Sequence, residues 1–351
     1  MKISRSQLSM LALGASVLIA PAAAVAACGS GDLLLPNLRV LPARDITVVL
    51  DSQGNPTNAM KFSTTTWNAG LGKLELVTKD TGSVSQKVDQ RIYCRDGTYE
   101  DRNAGFFEYH AAHNHVHFND YANYILEPLD SNLQNVRKGT KTTFCLMDNT
   151  NINTQLLRAP ATEGYTVCAA QVVGSVQGLS VGWGDTYANT RVGQSLDTTN
   201  LPRGIYRLRM VVDPKNLIAE TNEADNEACK LVEIGVGFVA DRGLCATPPT
   251  PRIFVVSPNA TSQGTCSAVT ISGENLGPEM RLSFLYGTGP VPSPRNVEFP
   301  GSAMARATVC VAKAQGKNRL GNDPVWDLRA ANPTLPHVGS ATLPNAFRVT
   351  R

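Results

Sequence analysis

Met60-Lys61-Phe62-Ser63-Thr64-Thr65-Thr66-Trp67, closed by Asn68-Ala69-Gly70, sets the reading of the whole chain. The octapeptide is rich in β-branched and aromatic residues and ends on a turn triplet, so it is expected to be a strand leaving through a turn. From Leu35 onward the same rhythm repeats, and no stretch keeps a helical period of apolar residues for three turns. Ile46–Leu50, Tyr121–Leu126, Thr143–Met147, Gly204–Val212 and Ala228–Ile234 read as further strands. The fold class expected is all-β.

The chain has 351 residues, too many for one ordinary domain and suited to two. Composition changes near residue 240, and Ala246-Thr247-Pro248-Pro249-Thr250-Pro251 reads as a stiff, extended connection. The division expected is residues 28–240, a linker over 241–252, and a second domain over 253–351. Ahead of these, Lys2, Arg5, the apolar run Leu8 to Ile19 and the small residues Ala22 to Ala27 make residues 1–27 a secretory signal. That places the mature chain outside the cytoplasm, secreted or periplasmic. Ala24-Val25-Ala26 suits simple cleavage, the preferred reading; Val25-Ala26-Ala27-Cys28 suits a bacterial lipobox that would anchor the chain by a lipid on Cys28. No later run approaches about 20 apolar residues, so no transmembrane span is expected. A net charge of +3, from 32 basic and 29 acidic residues without long runs, offers nucleic acid no footprint. Eight scattered cysteines without a C-x-x-C motif are expected to pair in an oxidising compartment.

Four of the five histidines fall in His110-Ala111-Ala112-His113-Asn114-His115-Val116-His117. On a strand, every second side chain shares a face, so His113, His115 and His117 are expected to converge on a metal. An all-imidazole site with an open tetragonal position suits copper best. His110 falls off that register and has three open roles: a fourth ligand, a donor orienting another imidazole, or a proton carrier.

His-x-x-His-x-His-x-His followed by Phe118-Asn119-Asp120-Tyr121 resembles the copper-binding segment of the lysyl oxidase family. The likeness continues in Gly139-Thr140-Lys141-Thr142-Thr143-Phe144-Cys145-Leu146-Met147-Asp148, in Gln177-Gly178-Leu179-Ser180-Val181-Gly182-Trp183-Gly184-Asp185-Thr186-Tyr187, in Leu201 to Leu208 and in Val212-Asp213-Pro214. The resemblance spans about 35 to 235 and implies a lysyl-oxidase-type β-sandwich catalytic domain. It further implies Cu2+ and a self-derived lysine tyrosylquinone, made from Lys141 and Tyr187. The activity implied is oxidation of primary amines, peptidyl lysine or small amines, to aldehydes with release of ammonia and hydrogen peroxide. Asp185, two residues before Tyr187, is the candidate base for the α-proton. Glu220, Asn222, Asp225 and Asn226, with Asn37 and Leu38 from the start of the domain, are similar to the family's calcium-binding stretch, and oxygen donors suit Ca2+. Ala112 and Trp183 replace cysteines of the animal enzymes, so their disulfide scheme does not carry over. Cys145 and Cys168, both near the cofactor segments, are expected to pair.

Beyond the linker, Ile253 to Pro258 and Val269-Thr270-Ile271-Ser272-Gly273-Glu274-Asn275-Leu276-Gly277 resemble the opening of the IPT/TIG family, implying a smaller immunoglobulin-like β-sandwich bridged by Cys266 and Cys310. Its expected role is contact with a cell surface or polymer. Two alternatives stand beside the oxidase: an extracellular copper-binding or adhesion protein that never forms quinone, and a zinc hydrolase, which lacks an H-E-x-x-H helix here.

Overall fold

The computed structural model describes residues 28–29, 31–80, 85–111, 114–130, 135–313 and 323–351. The proposed signal segment and His113 lie outside the described residues. Among those described, strands and their connections make up nearly everything, and the one helical element is a single 3-10 turn, Pro336–Val338. The all-β expectation holds.

The octapeptide Met60–Trp67 lies inside the strand Pro56–Asn68, which pairs antiparallel with Leu38–Leu50 along one edge and with Trp183–Tyr187 and Ser195–Asp197 along the other. From Phe62 to Asn68 every residue is buried, so this strand is covered on both faces and its threonine run is internal. The turn after it is built by Asn68, whose Oδ1 accepts N–H bonds from Asn37 (3.1 Å) and Gly70 (2.9 Å) and whose Nδ2 donates to Gly72 and Leu179. Gly70 is required there by close approach, since a Cβ would lie 2.4 Å from the Pro36 carbonyl carbon.

A second sheet orders Val176–Leu179, Leu74–Thr78, Ser85–Cys94, Tyr99–His110 and His115–Phe118, with Leu33–Leu34 added on Ser85–Cys94. A third orders Phe238–Leu244, Glu227–Gly235, Gly204–Val212, Ala122–Pro128 and Arg137–Lys138. Phe62, Phe107, Phe118, Tyr124 and Tyr206, drawn from the three sheets, are fully buried in one core. Burial of such aromatics is worth about 2 to 3 kcal/mol each relative to exposure, so this core dominates the stability of the unit.

Three expectations are corrected. Thr143–Met147 is not a strand: it makes one bridge, Phe144 to Phe118, while Cys145 N–H, Cys145 O and Leu146 N–H are taken by the side chains of Tyr187 and Gln177. The segment expected as a linker over 241–252 begins too early, because Phe238–Leu244 remains paired in the third sheet and Cys245 is bonded to Cys229. Cys28 is bonded to Cys94, so its sulfur is not available for a lipid thioether. The pairs Cys145–Cys168 and Cys266–Cys310 form as expected.

Residues from Arg252 onward form two four-stranded sheets on a core of their own, with Phe347, Leu328 and Ala305 at its centre. A third apolar cluster, including Leu41, Trp67, Ile152 and Leu335, joins the two units.

Candidate active site

Tyr99–His110 and His115–Phe118 form a hairpin in which His110 faces His115 directly and Glu108 faces His117. Residues directly opposite in an antiparallel pair share a face, and so do residues two apart. The hairpin therefore brings His110 onto the face of His115 and His117, whereas a single continuous strand would have put it off the face. His115 Nε2 and His117 Nε2 are 2.9 Å apart, and the His110 and His117 ring centroids are 4.1 Å apart. Two nitrogens bound at right angles to one ion, at about 2.0 Å each, stand about 2.9 Å apart, so this imidazole pair fits a first-row transition metal. Thr143 Oγ1 lies 3.5 Å from both His110 Nε2 and His117 Nδ1, a contact that no sequence signal singled out.

The segment that carries Thr143 also carries the next part of the site. It is threaded between the hairpin and the strand Trp183–Tyr187: Phe144 exchanges backbone bonds with Phe118, and Leu146 N–H donates to the side chain of Gln177. Lys141 Nζ lies 4.9 Å from the Tyr187 ring centroid and 4.7 Å from that of Phe144. Tyr187 packs edge-on against Phe144, with centroids 4.9 Å apart, and its hydroxyl donates to Cys145 O (3.0 Å) while accepting from Cys145 N–H (2.9 Å). Residues 141–145 thus touch both the histidine face and the tyrosine.

Burial governs the charges here. It lowers the Lys141 pKa, against the opposing attraction of Asp185, and raises that of Tyr187. Asp185, only 3% exposed, has its pKa pushed well up by burial, partly offset by the Asn149 amide that donates to its Oδ1 at 2.7 Å. Its Oδ2 is buried with no hydrogen-bond partner. An amine held toward its neutral form is a nucleophile, and a carboxyl held toward its acid form is a proton carrier poised above its usual range.

Gly193 closes over the lysine. Its φ is +83°, and a Cβ there would stand 3.1 Å from Lys141 Cβ. Gly193→Ala is therefore expected to cost about 1 to 2 kcal/mol of stability through left-handed backbone strain, and to displace Lys141 from Tyr187. Differential scanning calorimetry and the yield of any Lys141–Tyr187 crosslinked peptide would check this.

In a separate cluster, Glu220 accepts from the Leu38 N–H and, at 2.8 Å, from Asn226 Nδ2, while Asn37 Nδ2 donates to Asp225 Oδ2 at 3.1 Å. Three buried oxygens, Asn37 Oδ1, Asp225 Oδ1 and Asn226 Oδ1, have no hydrogen-bond partner. Unpartnered buried oxygens beside a carboxylate are what a hard cation would complete. Asn222 is not drawn in: it is exposed, and its Oδ1 caps the Ala224 N–H. Leu38 donates its N–H to Glu220, so the group it could offer a cation is its carbonyl oxygen. The carboxylates of Asp213 and Glu223, which the sequence reading did not include, have oxygens within 4.8 Å of those of Glu220.

Residues 94–236 match the family model described as Lysyl oxidase. The "Protein-lysine 6-oxidase" of Rattus norvegicus and that of Homo sapiens are each 34% identical over 122 residues, covering 34% of this chain and 26% of the relative. "Lysyl oxidase homolog 4" of Bos taurus is 33% identical over 119 residues, covering 34% of this chain and 14% of the relative. The chain thus spans about a quarter of the length of the curated relatives it matches first. The matched region contains the histidine hairpin, Lys141, the strand that carries Asp185 and Tyr187, and the Glu220 turn. Over residues 94–236, this chain is similar to the lysyl oxidase family.

Proposed function

We propose that the protein is a copper- and quinone-dependent oxidase of primary amines, acting on lysine side chains of proteins or on small amines. The balanced reaction is R-CH2-NH2 + O2 + H2O → R-CHO + NH3 + H2O2. One observation carries this reading: residues 141–145 place an amine beside a tyrosine ring and a threonine hydroxyl beside the histidines.

His110, His115 and His117 would hold copper, and His113 completes the set by its place in the sequence. Once formed from Lys141 and Tyr187, the quinone would supply a carbonyl electrophile and an electron sink, neither of which ordinary side chains offer. Burial lowers the Lys141 pKa, so this amine yields the proton it must lose to join the ring more readily than an exposed lysine does. Cys145 pins the tyrosine oxygen with both its backbone groups, which limits the ring to small rotations about its Cβ. Asp185 Oδ2 would take the substrate's α-proton, and Asn149 holds the carboxyl in place. Phe144, itself buried, gives the amine one apolar face, with its ring centroid 4.7 Å from Lys141 Nζ.

The disulfides support an exported protein, since such bonds persist in oxidising compartments. No helix among the described residues is long and apolar enough to cross a membrane. Residues from Arg252 onward are read as an immunoglobulin-like unit of the IPT/TIG kind, and contact with a cell surface or polymer would use its exposed Phe254, Val255 and Tyr286.

Asn37, Glu220, Asp225 and Asn226 would hold calcium. At a calcium concentration 100 times Kd, occupancy is expected to stabilise the unit by about 2.7 kcal/mol. That is a rise of roughly 5 to 10 °C in melting temperature, which a chelator should reverse and Glu220→Gln should largely abolish.

The functional test is peroxide release from small primary amines by the Cu(II)-loaded protein, with and without a hydrazine that traps quinone carbonyls. Amine-dependent peroxide blocked by the hydrazine supports the oxidase. Tightly bound copper without peroxide would make the chain a binding protein.

A further inference from the structure

We propose that the C-terminal unit is a buttress of the active site, with Arg281 and Asn149 as positioning residues that hold the strand bearing Asp185 and Tyr187. The inference deepens the oxidase reading and rests on it for the meaning of those two residues.

The strand Trp183–Tyr187 is covered on one side by Pro56–Asn68, a long and fully buried neighbour. On the other side it has only Thr150–Asn151, a two-residue edge strand paired Thr150 to Gly184 and Asn151 to Trp183. Two residues of ladder hold an edge weakly by themselves. Thr150 Oγ1 adds a bond to Thr186 Oγ1 at 2.6 Å, and the preceding residue makes three further bonds to the strand. Asn149 donates from Nδ2 to Asp185 Oδ1 at 2.7 Å, accepts at Oδ1 from the Thr186 N–H at 2.7 Å, and donates its own N–H to Gly184 O at 3.0 Å. One side chain therefore orients the carboxyl and fixes the backbone immediately before Tyr187.

What keeps the short edge in place comes from the second unit. Arg281 donates from Nε and Nη2 to Ile152 O at 2.9 and 2.7 Å, and from Nη2 to Asn151 Oδ1 at 2.7 Å. Asn332 Nδ2 donates to the same Ile152 carbonyl at 3.0 Å. One residue further, the buried Asn153 donates from Nδ2 to the carbonyls of Pro278 and Met280, both at 2.8 Å, just ahead of the strand Arg281–Leu285. Gln155 then pairs with the backbone of Leu282 in both directions, at 2.7 and 2.9 Å. The inner side of the segment is tied to the first unit through Ile152 and Asn153 N–H bonds to Gly182 O. The segment after Asn149 is thus bonded on both sides, and its outer side is the second unit. A flexible appendage would leave Ile152 and Asn151 to water; here a guanidinium with planar, fixed donor geometry takes them. The chemistry-bearing strand is held from outside its own domain, and the path runs from Arg281 through Asn151 and Asn149 to Asp185.

The test uses the full chain and three proteins: the parent, Arg281→Ala, and Val309→Ala, which opens a cavity in the core of the second unit at a residue that makes none of the hydrogen bonds to residues 149–157 described above. Amide hydrogen exchange at Thr186, whose N–H is bonded to Asn149, is the first readout and needs no activity. The pH profile of amine turnover is the second. Exchange at Thr186 at least about tenfold faster in Arg281→Ala, unchanged in Val309→Ala, with the acid limb of the profile moved, is the expected result. Unchanged exchange in Arg281→Ala would overturn the proposal, as would equal acceleration by both variants, which share only a loss of stability. Faster exchange in Arg281→Ala, found with a parent that oxidises no amine, would retain the mechanical coupling and remove the oxidase reading instead.

Discussion

Lys141→Ala is expected to abolish amine-dependent peroxide release, by a factor on the order of 10^4 or more, while copper affinity at the histidines stays within about threefold. The size follows from the chemistry: without the lysine no quinone of this kind is made, and no other group near Tyr187 offers an electrophilic carbonyl. The reason copper should stay is geometric. Lys141 contacts the rings of Phe144 and Tyr187, and the described contacts to the histidines come instead from Thr143. Tyr187→Phe should lose turnover equally, because it keeps the ring and its edge-on packing against Phe144 but removes the hydroxyl. Its cost in stability is expected to be about 1 to 3 kcal/mol, since Cys145 N–H and O both lose a partner. Peroxide assays beside copper titrations of the same preparations would decide the matter. Oxidation that persisted in Lys141→Ala would remove the self-derived cofactor from the account, and copper lost together with activity would mean that the substitution had disturbed the hairpin.

Asp185→Asn is expected to reduce turnover by about 10^2 to 10^4-fold, the usual contribution of a positioned general base. The folded protein should be at least as stable, because the asparagine keeps an acceptor for Asn149 while removing a group whose ionised form burial opposes. The sign follows from linkage. Burial raises the pKa of Asp185 in the folded state, so the folded protein retains a proton that the unfolded chain has released. Stability falls as pH rises from the ordinary carboxylate range toward the raised folded value, and above that value the loss is complete. Asp185→Asn should flatten this part of the melting-temperature profile. For turnover, the acid limb of kcat/KM should lie well above the ordinary carboxylate range, since the base acts only when ionised. An acid limb near pH 4 would assign the proton transfer to another group.

Much of this site was legible residue by residue. The four clustered histidines marked one segment as a metal-site candidate, and the order of the motifs around Lys141 and Tyr187 pointed to the lysyl oxidase family before any contact was known. Three things were hidden. His110 was misplaced because alternation along one strand was assumed, whereas the chain reverses after His110 and antiparallel pairing sets it opposite His115. Thr143 and Asn149 carry no pattern, since a lone threonine or asparagine looks the same on a surface as it does in a site. The extent of the second unit's involvement was hidden as well, because Arg281 and Asn151 are 130 positions apart and nothing local links them.

By itself the sequence determined the strand-rich character, the histidine cluster and the family-like segment, all of which are local properties of residue type, spacing and order. The tertiary structure decided which side chains meet. Burial around Asp185 and Lys141, the oxygens gathered at Glu220 and the tie between the two units depend on parts of the chain far apart in sequence. Their charge states and geometry follow from desolvation and pairing, which exist only once those parts have been brought together.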